Sequence, residues 1–357
     1  MTILTKLKSE IVDSKDHAIT YERFMEISLY DEEHGYYSSN HKKTGKAGDF
    51  YTSPGVHEVF SRVMARVFTS AIIADDLHPV IVEMGAGEGD FILSNLEEIQ
   101  RYDKSFFEKL TYYVVESSPY HRKIIENKTK DYESVHIYPS LEELKRHIGV
   151  FQGIIFSNEL LDAFPVRVIE EKQGELFEVM VGLTPSEELT EVYKLCTDHA
   201  ILDWIESYGY QINKGQRIEV PLHMTNWFEN VANWMEKGRI YTIDYGYTDE
   251  EWCHPARRTG SLRGYYKHQL IQNPLENPGR MDLTTHISLD ALRRIGEDHQ
   301  FKWIECEFQG RFLVNNGLLD FVQNHNEQNP FSPAHKINRA VNWLSQMNQF
   351  QVIVQRK

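Results

Sequence analysis

A chain of 357 residues is long enough for one large domain with insertions or two modest ones, and it can bury a substantial core. Its composition is ordinary for a globular protein, with 41% hydrophobic, 25% charged and 12% aromatic residues. The 53 acidic side chains exceed the 38 basic ones, and a formal charge of −15 repels phosphate-rich partners, which argues against a general nucleic-acid binder or an anionic-membrane protein.

From the N-terminus, charges recur every few residues with no apolar signal segment, and no run approaches the roughly 18 apolar residues of a membrane span. Residues 1–50 read as helical turns, among them the amphipathic ITYERFMEISLY, followed by a polar Gly-containing loop. Ser53-Pro54 is a helix-start signal for VFSRVMARVFTSAII, whose stripe Phe60, Val63, Met64, Val67 is core packing. From residue 79 the pattern alternates. PVIVEMGAGEGD is a strand ending in a tight glycine turn, and DFILSNLEEIQ is a helix. TYYVVE, SVHIYP and GIIFSNE are further strands, separated by the helical SSPYHRKIIENKTK and SLEELKRH. Such alternation predicts a parallel sheet built from βαβ units.

Residues 166–220 break the rhythm with antiparallel character: VRVIEEKQGELFEVMVGL alternates about a KQG turn, and GQRIEVPL is another strand. The helix WFENVANWMEK and the strand RIYTIDYG then resume it. Residues 248–281 form a long, net basic Pro/Gly-bearing stretch, read as a lid, a partner-docking surface or a disordered loop. FKWIECEFQ and QFQVIVQ close the chain as strands around a polar helical region. Three scattered cysteines without CxxC spacing argue against a disulfide framework and a cysteine zinc site, and with them a cytoplasmic location is expected. The sixteen histidines show no recognised ligand spacing, so no metal is expected.

The glycine turn carries the first chemical signal. In Glu83-Met84-Gly85-Ala86-Gly87-Glu88-Gly89 the third glycine comes one residue early for a dinucleotide fingerprint, and Asp90 holds the expected position. Carboxylates at a helix N-terminus oppose a pyrophosphate, and no GK[ST] follows. The acidic ExGxGxG form suits a ligand with a cationic amino acid end and no phosphate, namely S-adenosyl-L-methionine. Glu83, Gly85, Gly87 and Gly89 are its first expected contacts, and Glu116, ending the second strand, is positioned to accept from ribose hydroxyls. A bare tight turn and a solvated strand end are the bland readings of these parts.

The separated motifs HGYY at 34–37, GDFYTSP at 48–54, EMGAGEG at 83–89, SNELLDAFPVR at 157–167, IDYG at 243–246 and NPGRMDLTTHI at 277–287 resemble the MidA family of class I methyltransferase-fold proteins. QGRFL at 309–313 also fits, and the resemblance covers nearly the whole chain. Ala86 and Glu88 stand where relatives often have Pro and Arg. The resemblance implies an α/β class I methyltransferase (Rossmann-like) fold: a mostly parallel seven-stranded sheet with an antiparallel terminal strand, an N-terminal helical extension and an antiparallel insertion. Residues 1–78 are then the extension with a cofactor-covering loop, and 79–357 the methyltransferase domain, with insertions at about 166–220 and 248–281. It also implies S-adenosyl-L-methionine binding and methylation of a protein, at arginine. The alternatives are a small-molecule methyltransferase and a non-catalytic assembly factor that retains cofactor binding. The oligomeric state is left open.

With the resemblance, Gly48, Asp49, Phe50 and Thr52 join the cofactor set, Asp49 towards the methionine amino group; a loop that caps its own helix through Ser53 is the competing reading. Asn158 joins them from the fourth strand's end. Glu159 and Asp162 share a face if their turn is helical, and two carboxylates suit a guanidinium fork. Capping a helix, or binding a backbone N–H, is the bland role for each. Asp244 ends the fifth strand, near the acceptor or capping a turn, and His286 is either a proton acceptor near neutral pH or structural.

Overall fold

The apolar runs between residues 80 and 158 pair as parallel strands, because each is buried on both faces and separated from the next by a helix. The computed structural model describes residues 2–38, 54–267, 269–324, 329 and 332–357. One sheet holds seven strands: β1 (Val80–Met84), β2 (Thr111–Val115), β3 (Val135–Tyr138), β4 (Phe151–Asn158), β5 (Met235–Asp244), β6 (Lys302–Phe308) and β7 (Gln351–Arg356). Their order is β6-β7-β5-β4-β1-β2-β3. The five strands from β3 to β5 run parallel, and β7 is antiparallel to both β5 and β6. This is the expected fold class. The chain builds outward from β1 to β3 and then returns to lay β4 on the other side of β1. That reversal makes a topological switch point, and ligands of such sheets sit outside the carboxyl ends of the strands flanking it.

The sheet belongs to a unit made of Tyr51–Leu160, Val231–Asp244 and His299–Lys357. Helices α1 (Pro54–Ala74) and α2 (Asp90–Tyr102) cover a face whose alternate residues Ile81, Tyr112, Val114, Ile154, Phe156, Tyr241, Ile243, Val352 and Val354 are buried. Phe91 of α2 stacks on Phe156 at 4.5 Å, and Phe68 of α1 lies 5.3 Å from Phe156 and 5.2 Å from Tyr241. A wide aromatic layer of this kind contributes more than its area alone, about 1 kcal/mol per pair. The buried Glu98 of α2 ties the two helices through Arg62 and Arg66 of α1, each at 2.8 Å.

Two boundaries differ from the sequence reading. The helix expected to reach Lys237 stops at Trp234, and β5 begins at once with Met235 paired to Phe151. Packing decides this, because Trp234 stacks on Phe151 at 4.6 Å and Met235 is buried. The second difference concerns residues 248–281. They carry a short helix, Asp249–Trp252, a turn at Pro255–Arg257, and strands Arg263–Tyr266 and Gln269–Ile271, of which the former also pairs with Asp282–Thr284.

That segment lies in a second unit, made of Met1–Phe50, Leu161–Asn230 and Tyr245–Asp298. Here the KQG turn joins Arg167–Lys172 to Glu175–Leu183 as an antiparallel hairpin, with Gln173 and Gly174 both at positive φ. Leu189–Leu195, Arg217–Val220 and Ala18–Thr20 complete this antiparallel sheet. Thr20 ends its strand and caps the helix Tyr21–Tyr30, its side chain accepting from the Arg23 N–H. Leu7, Ile11, Phe24 and Met25 from the N-terminal helices are buried with Val168, Val179 and Val181 of the hairpin. Among the described residues, no helix is long and apolar enough to cross a membrane.

Candidate cofactor and acceptor site

The turn after β1 bends through three left-handed glycines, with φ of 72° at Gly85, 54° at Gly87 and 74° at Gly89. Their surroundings differ. A methyl group on Gly85 or Gly89 would strike Leu160 or Ile125 at 2.9 Å, whereas one on Gly87 would meet nothing within 4 Å. Gly85 and Gly89 therefore let the turn pack down, and Gly87 presents bare backbone to open space, as a close-approaching ligand requires.

Two carboxylates stand beside this turn. Glu116 follows β2 and is buried; one oxygen accepts from the Gly87 N–H at 2.9 Å and the other from the Ser118 N–H at 2.8 Å. His121 Nδ1 is 3.7 Å from the same carboxylate. Glu83, in β1, is only 4% exposed and accepts from the Tyr112 hydroxyl at 2.8 Å. Burial pushes the Glu83 carboxyl up to about 8; the Tyr112 hydrogen bond opposes this and the nearby Glu116 reinforces it. Without a cation beside it, Glu83 is thus largely protonated at pH 7. The donor set fits S-adenosyl-L-methionine: an open glycine cradle, an acid that a positive ligand would ionise, and a second acid with lone pairs to spare for hydroxyls.

The neighbouring strand ends carry the other candidates. Asn158 closes β4, its amide donating to Glu159 at 3.2 Å. Glu159 is exposed, has a positive φ of 50°, and donates its backbone N–H to Ile243 O of β5 at 2.8 Å. Asp244, the next residue of β5, is fully buried. The parallel register, with Ile243 opposite Asn158, thereby sets Glu159 and Asp244 on adjacent strand ends of the sheet unit.

Asp162 and His286 are placed in the other unit. The turn from Glu159 to Asp162 is not helical, so the condition on which the pair would share a face is not met. Asp162 is buried, and its carbonyl accepts from the Thr285 N–H at 2.9 Å. His286 stacks on Tyr247 with ring centroids 4.5 Å apart and planes 3° from parallel. Burial, reinforced by Arg263 and Arg257, lowers its imidazole to about 3, which leaves it a neutral and weak proton acceptor at pH 7. Gly48, Asp49, Phe50 and Thr52 lie outside the described residues.

Sequence reasoning passed over Tyr112, Ser118 and His121, which surround the two acids of the turn. Only their contacts reveal them, because a tyrosine in an apolar strand and a helix-capping serine are what any such element contains. It also passed over a link between two motifs: Tyr37 of HGYY donates to Asp282 of NPGRMDLTTHI at 2.7 Å.

The family described as "Putative S-adenosyl-L-methionine-dependent methyltransferase" matches residues 63–306. The protein arginine methyltransferase NDUFAF7, mitochondrial, of Danio rerio is 24% identical over 347 residues, covering 90% of this chain and 78% of its own length. The Mus musculus protein of the same name is 26% identical over 329 residues, covering 84% and 71%. A Burkholderia thailandensis protein crystallised bound to S-adenosyl-homocysteine shares the fold at a TM-score of 0.85 and 23% identity, over 99% of this chain and 92% of that one. A native structure from the same organism gives 0.82 and 24%, over 99% and 91%. The mitochondrial designation of the curated relatives overturns the cytoplasmic location expected from cysteine usage. Free cysteines ask only for reducing surroundings, and that requirement does not single out the cytosol. The family match spans well over half of the chain, and it agrees with the resemblance read from the motifs and with the geometry of the glycine turn. The chain therefore belongs to this family and is an S-adenosyl-L-methionine-dependent methyltransferase.

Proposed function

We propose that this methyltransferase modifies an arginine side chain of a protein. The observation that carries the reading is the pair of carboxylates on adjacent strand ends, Glu159 exposed and Asp244 buried, joined through the Glu159 N–H to β5. The relatives named as protein arginine methyltransferases support it.

S-adenosyl-L-methionine supplies a methyl group activated by its sulfonium. Glu83 and Glu116 are the residues proposed to hold it, Glu83 balancing positive charge and Glu116 accepting from ribose hydroxyls while it fixes the Gly87 peptide. Asn158 borders the same edge. Glu159 and Asp244 are proposed to grip the acceptor guanidinium, whose planar fork of donors matches carboxylate oxygens. Arginine is not deprotonated beforehand, since its pKa exceeds about 12. The carboxylates therefore orient one nitrogen and stabilise the positive charge around it, and the proton leaves with or after transfer. Glu159, being exposed, can pass that proton to solvent. Alignment and preset charge supply most of the rate.

The test is incubation with methyl-labelled cofactor and a protein extract, followed by hydrolysis and amino acid analysis. Label is expected in methylarginine, and Glu159→Gln should abolish it while S-adenosyl-homocysteine still binds. Label recovered only in small molecules, or in another residue type, would refute the proposal.

A further inference from the structure

The basic stretch at 248–281 contains two guanidiniums that have no counter-ion among the described residues. Arg257 lies over the Tyr247 ring, 3.8 Å from its centroid, and its guanidinium donates to the Glu251 carbonyl at 3.2 Å. Arg263 reaches the His286 ring, 3.3 Å from Nε2 and 3.5 Å from Nδ1. The Nε atoms of both are buried without a hydrogen-bond partner. Neither side chain has a carboxylate within ion-pair distance among the described residues, although the chain carries 53 acidic residues.

The backbone holds this cluster firmly. Arg263 pairs across strands with Thr284, Tyr247 pairs with Ser288, and the His286 N–H donates to the Ser261 hydroxyl at 2.9 Å. Ser261 is in turn bound to the Glu219 carboxylate through both its N–H and its hydroxyl, and the Leu262 N–H donates to Glu219 as well. That nearby acid is thus already engaged. The charges that act on His286 are both positive, and they reinforce the burial that keeps its ring neutral. Both arginines are half-buried, and a partly desolvated guanidinium without a carboxylate partner favours an anion beside it. Two such groups beside a neutral imidazole concentrate positive charge that an anion would offset.

We infer that Arg257, Arg263 and His286 form a subsite for a carboxylate, supplied by an acidic side chain of the protein acceptor. A carboxylate rather than a phosphate fits for two reasons. Its two coplanar oxygens match the guanidinium fork, and a chain of charge −15 disfavours polyanions. That the carboxylate comes from an acceptor rests on the protein-methylation reading above; the anion site does not.

The two parts separate experimentally. Blocked glutamate (N-acetylglutamate N-methylamide) is titrated into the full-length protein while the His286 imidazole is followed by nitrogen-15 NMR, with blocked glutamine and inorganic phosphate as parallel probes. Blocked glutamate should shift the His286 signals saturably, blocked glutamine should not, and Arg263→Gln and Arg257→Gln should each weaken the response at least tenfold. Circular dichroism verifies that each variant folds, and either variant alone suffices. No response in the unmodified protein, an undiminished response in a folded variant, or a stronger response to phosphate would overturn the subsite. Its source is tested on a methylated protein recovered by labelling, with Glu→Gln or Asp→Asn changes at each of its exposed acidic residues in turn. KM should rise about tenfold with little change in kcat, and an unaltered KM would overturn the acceptor as the source. If no methylated protein is found, the function proposal fails while the titration still decides the subsite.

Discussion

At the carboxyl edge of the parallel strands two acids, Glu83 and Glu116, are buried, and the charge of Glu116 adds to the cost of ionising Glu83. In the other unit two guanidiniums crowd a half-buried histidine, His286. Both places gather like charge where access to water is reduced, and in each one group responds by becoming neutral: Glu83 keeps its proton up to about pH 8, while His286 refuses one down to about pH 3. Desolvation is the leading cause in both. The difference lies in the sign of the charge that would relieve them, a cation at the first place and an anion at the second. A methyltransferase that takes a sulfonium cofactor accounts for the first, and the proposed carboxylate subsite for the second.

The most severe way to break the first place is Gly87→Val. Its positive φ strains any β-branched residue, and the side chain would project into the open cradle, so S-adenosyl-homocysteine affinity by calorimetry should fall ~100-fold. Glu116→Ala removes the acceptor of the Gly87 and Ser118 N–H groups together with the proposed ribose contact; about 30-fold weaker binding is expected from the same titration.

Glu83→Gln sharpens the comparison by separating stability from binding. Because the folded carboxyl titrates near 8 instead of 4.5, its stabilising contribution is complete below about pH 4.5 and is lost as pH rises through 8. Chemical denaturation of the free variant should therefore show it more stable than the parent above pH 8, by on the order of 1–3 kcal/mol. Cofactor affinity should move oppositely. In the parent it tightens as pH rises through 8 and Glu83 ionises, and in the variant it is about tenfold weaker at pH 9, with that dependence gone.

His286→Gln tests the other sign. The neutral imidazole contributes stability that is present above about pH 6.5 and is lost as pH falls towards 3, so the variant should flatten the acid side of the stability profile. The smallest effect belongs to His223, 3.6 Å from both Glu22 and Glu26, whose hydrogen bond to the Glu22 carboxylate leads in raising its pKa. That contribution is present below 6.5 and lost as pH rises through the raised value. The partners are partly exposed, so His223→Gln should cost only ~0.3 kcal/mol at pH 5.

The strands were readable from sequence because a parallel sheet is buried on both faces and its apolar runs stand out between helices. TYYVVE, GIIFSNE and QFQVIVQ all lie where expected, and the KQG hairpin turns at Gln173–Gly174. The junction at Trp234–Met235 was not legible, because helical periodicity continues past it and only the packing of Trp234 on Phe151 ends the helix. At the site, Glu83 could be named from its spacing to the glycines and Glu116 from its place at the end of the second strand. Their buried partners Tyr112 and His121 could not, since contacts between residues far apart in sequence leave no local pattern. Residues 263–284 failed similarly: short strands such as Arg263–Tyr266 carry too few alternations to be distinguished from loop.

The position of β7 has a bearing on how the molecule is made. A growing chain has completed six strands of the sheet before residues 351–356 exist, yet those residues fill the gap between β5 and β6. Until they leave the ribosome, Arg239–Asp244 and Lys302–Phe308 each present an unpaired row of backbone donors and acceptors, the form of surface that recruits strands from other molecules. Synthesis of this enzyme thus includes an interval of vulnerability to aggregation that closes only with its last strand. A stop codon shortly before residue 351 would make the interval permanent.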